Sequence, residues 1–305
     1  MSAAGTVGAA LRLAAGALEA AGVPEPRREA DQLYAALVRG TSSAAWADRE
    51  RALAPEGVAF LAQAVARRAA GWPQAYATGW ANFRGHWLRV DERVLIPRPE
   101  TEGLVEVVLE WARGTGAPHT GAEAVLGASV RRCAGLVAAD VGTGSGAIAV
   151  ALALEGRFAR VYAVDRSAAT LEVARANAAA LGLAERVRCL RGDLLEPLAG
   201  RALDVVVSNP PYIAAAELGQ LEASVRAFEP LLALDGGPDG LGATRRLVVA
   251  AATAVAAGGL LALEVDARRA EETAALVVAA GFADVAVRND LFERPRYVTA
   301  LQPGV

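Results

Sequence analysis

Four consecutive residues, Asn209-Pro210-Pro211-Tyr212, combine side chains whose types could do chemistry. The prolines fix φ and remove two backbone donors, so the carbonyls of Asn209 and Pro210 point out without competing N–H groups. A carboxamide, free carbonyls and an aromatic ring make an acceptor-rich, donor-poor pocket beside a π-face. Such a pocket suits a planar group with N–H donors, an amide or an amino-purine. The tetrad follows Leu203-Asp204-Val205-Val206-Val207-Ser208, a β-branched run that reads as a buried parallel strand. Parallel strands deliver their C-terminal ends to the ligand crevice of an open α/β sheet. A plain turn after a strand is the simpler alternative, and the setting favours a site.

A second constellation is Gly142-Thr143-Gly144-Ser145-Gly146, a turn between an apolar strand and a helix, with Asp165 one strand later. This satisfies the dinucleotide fingerprint, in which glycines allow close backbone approach and the acid accepts ribose hydroxyls. Two later features discriminate. Asp193, after the third strand, is placed to accept from an adenine amino group, and the tetrad after the fourth supplies a polarising site. A hydride transferase needs neither there, and no acid–base residue suited to a carbonyl is in view. The pattern favours S-adenosylmethionine over a nicotinamide dinucleotide.

The elements that must position these residues follow from periodicity. Up to about Gly71 the chain is helical, with Val7, Leu11, Leu18 and Ala21 on one face, Leu33, Leu37 and Val38 on another, and Phe60, Leu61 and Val65 on a third. Gly22, Gly40 and Pro55 punctuate these helices. From Tyr76 to Val90 apolar and polar residues alternate around glycines, which predicts a β-hairpin. Val94-Leu95-Ile96-Pro97-Arg98-Pro99-Glu100-Thr101-Glu102 follows, stiffened by two prolines, with Thr101 expected to cap a helix from Gly103 to Trp111. This segment is either a brace or a cleft wall. Gly114 to Gly135 reads as an irregular excursion. A doubly wound pattern then begins: strands at Leu136–Val141, Val161–Val164, Val187–Leu190, the run before the tetrad and Leu260–Val265, with a late antiparallel pair at 284–288 and 297–301. Ser167 is expected to cap the helix that ends near Leu181.

Bulk properties narrow the class. The chain has 305 residues, 54% of them hydrophobic, enough for one large and one small domain. All 31 basic residues are arginine and the net charge is −3, which argues against a large footprint on nucleic acid. Cys133 and Cys189 have neither zinc-site nor disulfide-framework spacing, and His86 and His119 stand far from any nucleophile elbow. A metal is not expected, no signal peptide is read, and a reducing cytoplasmic setting is the default. The uncharged run from Leu247 is read as helix, turn and strand rather than a membrane span.

The glycine turn, Asp165, Gly192-Asp193 and Asn209 to Tyr212 resemble class I S-adenosylmethionine-dependent methyltransferases. The segments Val94 to Glu102, Phe228-Glu229-Pro230 and Ala233 to Leu241 narrow the resemblance to protein-(glutamine-N5) methyltransferases of the release-factor type, the HemK/PrmC family. The likeness runs from about Gly71 to Leu241. It implies an α/β fold, a Rossmann-like seven-stranded sheet with a small N-terminal helical domain joined by a β-hairpin. It implies residues 1–72 as a helical substrate-binding domain, 73–102 as hairpin and Pro-rich linker, and 103–305 as the catalytic domain. The implied reaction is methylation of the Gly-Gly-Gln glutamine of peptide-chain release factors, leaving S-adenosyl-L-homocysteine. By resemblance, Gly142, Thr143, Gly144, Ser145 and Gly146 wrap the methionine moiety of S-adenosyl-L-methionine, Asp165 holds the ribose, and Asp193 and Leu194 hold the adenine. Asn209 and Pro210 hold the substrate amide, Pro211 and Tyr212 line its pocket, and Asn209 also borders the cofactor. A release factor is the expected partner, with no stable nucleic acid, no membrane and a monomeric chain.

Three stretches depart from the family pattern. Glu264-Val265-Asp266-Ala267-Arg268-Arg269 stands where the family has Glu-Ile-Gly and then a glutamine, and Asp290 to Arg296 lacks the usual glycine-containing turn. Gly114 to Gly135 is longer than usual. These keep open a paralogue acting on another amide or amine, and further off a nucleic-acid amino-methyltransferase or a non-catalytic binding module. With no histidine or cysteine base at the tetrad, proton loss is expected to follow methyl transfer, without a covalent intermediate.

Overall fold

The computed structural model describes residues 5–114 and 135–304, so the excursion expected between Gly114 and Gly135, with His119 and Cys133, lies outside the described residues. The chain forms two compact units. One runs to Glu92 and also takes in Glu222–Glu229; the other comprises Arg93–Leu221 and Pro230–Val305.

The first unit is helical. Thr6 caps Val7–Ala20 by accepting from the Ala9 N–H, and Val7, Leu11, Ala14 and Leu18 bury one stripe of that helix. Pro26–Val38 and Pro55–Ala69 both begin on proline, whose missing donor costs nothing at a first turn. Their Leu33, Tyr34, Leu61 and Ala64 join the same core, with Phe60, Leu37 and Val65 packed at its margin. Two polar contacts reach into it: the Tyr34 hydroxyl donates to Asp48 at 2.8 Å, and Arg68 forks onto Glu29 at 2.9 and 3.0 Å. The hairpin is shorter than the sequence suggests. Gln74–Thr78 is a helical turn, entered through Pro73 and ended by Gly79 at φ +78°. Strands β1 (Trp80–Phe83) and β2 (His86–Arg89) then pair antiparallel. Arg84 and Gly85 join them, both at positive φ, the two-residue connection that matches strand twist. Arg39 stacks on the Trp80 ring at 4.2 Å and Arg89 at 5.2 Å.

The second unit is a seven-stranded sheet made of β3 (Leu136–Val141), β4 (Phe158–Asp165), β5 (Val187–Arg191), β6 (Leu203–Ser208), β7 (Val255–Glu264), β8 (Ala283–Asn289) and β9 (Pro295–Leu301). Their order is β5-β4-β3-β6-β7-β9-β8. The first five are parallel, and β9 runs antiparallel between β7 and β8. The chain winds outward from β3 to β5, then returns to β6 on the other side of β3. Crevices open at such a reversal, outside the carboxyl ends of the strands. The uncharged run resolves into the helix Gly242–Ala254 and strand β7, and no helix among the described residues is long and apolar enough to cross a membrane.

The Pro-rich segment belongs to this second unit. It enters the helix Pro99–Gly114, and the Tyr297 hydroxyl on β9 donates to the Glu100 carbonyl at 2.6 Å. The hydroxyl end of Tyr297 sits against Gly103, where an added Cβ would stand 2.2 Å from its oxygen. Gly103→Ala is therefore expected to cost about 1–3 kcal/mol, the range for overpacking, read as a lowered urea midpoint. Gly103→Ala combined with Tyr297→Leu should recover part of the loss.

Candidate functional site

A cavity of about 560 Å³ opens at the carboxyl ends of β3, β4, β5 and β6, wholly within the second unit. Of the residues singled out from sequence, Gly142, Gly144, Asp165, Asp193, Leu194, Asn209 and Pro211 line it. Thr143, Ser145, Gly146, Pro210 and Tyr212 do not.

The glycine turn divides its work. Gly142 and Gly144 stand at φ +73° and +55° with nothing within 4 Å of where a Cβ would project, so their backbone is open to a ligand. Gly146, at φ +82°, instead lets the turn approach the helix Ala168–Ala180, where an added Cβ would lie 3.3 Å from Ala174. Thr143 and Ser145 are buried and serve the framework. The Thr143 hydroxyl donates to Asp140 at 2.6 Å, and Asn177 donates to the Ser145 carbonyl at 2.8 Å. Asp140 also accepts from the Ala149 N–H at 3.1 Å, while its Oδ1 has no hydrogen-bond partner among the described residues. Burial dominates these bonds and pushes its carboxyl up to about 7.

Asp165 ends β4 and accepts from the Gly144 and Ser167 N–H groups at 3.2 and 3.0 Å. Burial holds its pKa above the usual value despite these bonds. Ser167 caps the next helix as expected, accepting from Thr170 at 3.2 Å. Past β5, Asp193 pairs through Oδ2 with Arg246 of the helix Gly242–Ala254. That arginine had no signal in the sequence, because its partner lies 53 positions away. Leu194 takes φ +51°, a conformation bulky residues rarely adopt and which clusters at functional sites.

The tetrad is backed by the glycine-rich stretch that contributed to the family resemblance. Ile213 donates to the Leu234 carbonyl at 3.1 Å, and Gly236 donates to Ile213 at 2.8 Å. An added Cβ on Gly236 would lie 2.7 Å from the Pro211 carbonyl, and one on Gly240 would lie 2.5 Å from that of Tyr212. Only glycine permits that approach. Asn209 itself points its Nδ2 at Thr101 Oγ1, 3.1 Å away, and the Thr101 hydroxyl donates to Glu264 Oε2 at 2.7 Å. Thr101 therefore lies inside the first turn of its helix and bonds to Glu264 rather than capping, because a buried carboxylate is the stronger acceptor. This makes the Pro97–Glu102 segment a support of the tetrad. Burial, augmented by the Glu264 charge, raises the Tyr212 hydroxyl to about 12.

The departure after Glu264 also has a structural account. Arg269 donates to Glu217 at 3.0 Å and to the Asp239 carbonyl at 2.7 Å, and Arg268 reaches Glu217 at 2.8 Å. Asp266, whose carboxyl is held low chiefly by Arg268, anchors that pair. The substituted residues thus tie together the chain following the tetrad.

Comparison with known proteins agrees with this architecture. Residues 120–228 match the Methyltransferase small domain family and residues 9–79 match the PrmC N-terminal domain. The chain is 45% identical to a release factor glutamine methyltransferase of Moorella thermoacetica, covering 90% of this chain and 88% of that one. It is 40% identical to the protein of the same name from Cereibacter sphaeroides, covering 97% and 98%. Among solved structures, a methyltransferase from Pyrococcus furiosus shares the fold at 17% identity and a TM-score of 0.50, covering 72% of this chain and 91% of that one. The second unit has the class I methyltransferase fold, as the sequence suggests.

Asp140 supplies a test of the site's electrostatics. In the unfolded chain it loses its proton near 3.8, and in the folded chain near 7. Between those values the folded state retains a proton that the unfolded state has released, so stability falls as pH rises through this window and levels off above it. Urea midpoints measured from pH 4 to 8 should show wild type losing stability relative to Asp140→Asn up to about pH 7. Parallel curves would contradict the assignment.

Proposed function

The chain belongs to the release factor glutamine methyltransferase family, and from that premise we propose that it methylates the side-chain nitrogen of the Gly-Gly-Gln glutamine in peptide-chain release factors. S-adenosylmethionine is the proposed donor, and the cytoplasm, where translation terminates, the proposed setting. The observation that carries the reading is that Asn209 borders the same cavity as Gly142, Gly144, Asp165, Asp193 and Leu194. A group able to hold an amide thus adjoins residues suited to a nucleoside with a charged tail.

The residues fit such a donor. The open Cα positions of Gly142 and Gly144 leave room that a side chain would fill. Asp165, fixed by two backbone N–H groups, keeps lone pairs on both oxygens for ribose hydroxyls. Asp193 offers Oδ1 toward an adenine amino group while Arg246 holds Oδ2. When bound, the donor supplies an electrophilic methyl on a sulfonium, already activated for displacement.

The protein's task is then to make a poor nucleophile attack in line. An amide nitrogen delocalises its lone pair into the carbonyl. Asn209 Oδ1 and the Pro210 carbonyl each accept one N–H of the glutamine, which turns the nitrogen's lone pair toward the methyl. Each bond is worth about 1 kcal/mol net and more in a dry site; alignment contributes more, up to about 7–11 kcal/mol. As the N–C bond forms and the S–C bond breaks, positive charge moves to nitrogen. The spare proton then leaves to water, since no histidine or cysteine among the described residues lines the cavity. The N-terminal helical unit is proposed to hold the protein substrate.

Labelled S-adenosylmethionine incubated with a release factor tests the proposal, alongside a release factor whose Gly-Gly-Gln glutamine is replaced. Label should appear on the wild type alone. Asn209→Ala should lower turnover by about 10²–10³-fold or more, the scale of losing one preorganised polar contact, with calorimetric affinity for S-adenosylmethionine largely kept. Label on the replaced release factor, or near-normal turnover in Asn209→Ala, would sink it.

A further inference from the structure

A carboxamide can hold an amide N–H only if its oxygen faces the substrate, and nothing in Asn209 itself decides which end does. The decision lies behind it. The Thr101 hydroxyl has a single proton, and an ionised Glu264 can only accept, so that proton is committed to Oε2 at 2.7 Å. The remaining lone pairs of Thr101 Oγ1 can only accept. They face Asn209 at 3.1 Å, and the Nδ2 end satisfies them, whereas the reversed carboxamide would set two acceptors against each other.

We propose that Thr101 and Glu264 are positioning residues that lock the Asn209 carboxamide with Oδ1 toward the substrate, so that the charge state of Glu264 decides whether the site can accept an amide N–H. This rests on the reading of Asn209 given under Proposed function.

The surroundings suit such a lock. Glu264 and Thr101 are 1% and 5% exposed, so water does not compete for either. Glu264 closes β7, paired across to Tyr297 of β9 and packed against the helix Pro99–Gly114. The charged and titratable groups that face it are Arg296 and Tyr297 from β9, Arg98 and Glu100 from the Pro-rich segment, and Tyr212 from the tetrad. Burial outweighs the two arginines and the Thr101 bond and brings its carboxyl up to about 7. Once protonated, Glu264 can donate to Thr101 Oγ1. The threonine proton is then free to turn toward Asn209, and the reversed carboxamide is no longer penalised. Protonation therefore unlocks the acceptor.

The test pairs Thr101→Val with Thr101→Ser, and adds Glu264→Gln, which can accept from Thr101 but does not titrate. With the release factor as substrate, Thr101→Val should lose roughly 10- to 100-fold in kcat, the range of one or two hydrogen bonds. Thr101→Ser should stay within about threefold of wild type, and calorimetric affinity for S-adenosylmethionine should hold in both. Wild-type kcat should fall on the acid side with a midpoint near pH 7, and Glu264→Gln should flatten that limb. Independently of any substrate, the Asn209 side-chain amide protons, assigned by NMR from their loss in Asn209→Ala, should titrate with the same midpoint in wild type and stay level in Glu264→Gln.

Wild-type kcat in Thr101→Val, equal damage in Thr101→Ser, or an unchanged acid limb in Glu264→Gln would overturn the lock. So would an Asn209 resonance that ignores both residues. If the wild type transfers no label while that resonance titrates as described, the release-factor reading fails and the lock stands.

Discussion

The carboxyl edge of the sheet depends on one pairing, that of β3 with β6 across the point where strand order reverses. The Ser208 hydroxyl, buried at the end of β6, donates to the Val141 carbonyl at the end of β3 at 2.6 Å. That bond lies between the glycine turn that follows β3 and the tetrad that follows β6, two segments more than sixty residues apart in sequence. It sets how far the Asn209 carboxamide stands from the backbone of Gly142. Because parallel strands are bonded evenly along their length, the register of Val141 with Ser208 carries through to the turns that leave them. A one-residue slip would invert every side chain of β6 and bring the wrong face of Asn209 to the cavity.

Electrostatics then act on this frame in two layers. Near the cavity, Asp140 and Glu264 are buried, and the cost of desolvation brings both carboxyls up to about 7, in the case of Glu264 against the pull of Arg296 and Arg98. Farther out, Arg245, Arg246, Arg268 and Arg269 pair with Asp239, Asp193, Glu217 and Asp266, the first two on half-exposed surface and Arg269 largely buried. Individually such pairs contribute little to stability. As a network they fix the path of the chain from Ile213 to Gly242, which would otherwise be an irregular loop bordering the cavity.

Much of this could be read from the sequence because the strands are apolar runs that each end in a chemically distinctive residue: Val141 before glycine, Val164 before Asp165, Ser208 before Asn209. Local pattern was enough there. It was not enough for Thr101, read as a helix cap, because its true partner Glu264 is 163 residues away. Arg246 is invisible in the sequence for the same reason, one exposed arginine in a chain full of them, and the departure that includes Arg269 shows a difference from the family without showing its partners. The helical turn Gln74–Thr78 overlaps the start of the hairpin expected from Tyr76, since Tyr76 and Thr78 have β propensity and only Pro73 and Gly79 signal the helix ends. Gly236 and Gly240 belong to the stretch that carries the family resemblance, but the reason for them is a close backbone approach to Pro211 and Tyr212, which no local pattern shows.

Glu222–Glu229 is part of the first unit although it is synthesised after most of the sheet's parallel strands. The polypeptide passes between the two units three times, after Glu92, after Leu221 and after Glu229. The first unit is therefore discontinuous, and Phe228, whose ring meets Trp72 at 5.1 Å, belongs to its last piece. A ribosome that has released the first ninety or so residues has released an unfinished body. Its last piece can join only once β6 and the tetrad have also emerged, whereas the core built from Val7 to Val65 is already present in the first segment.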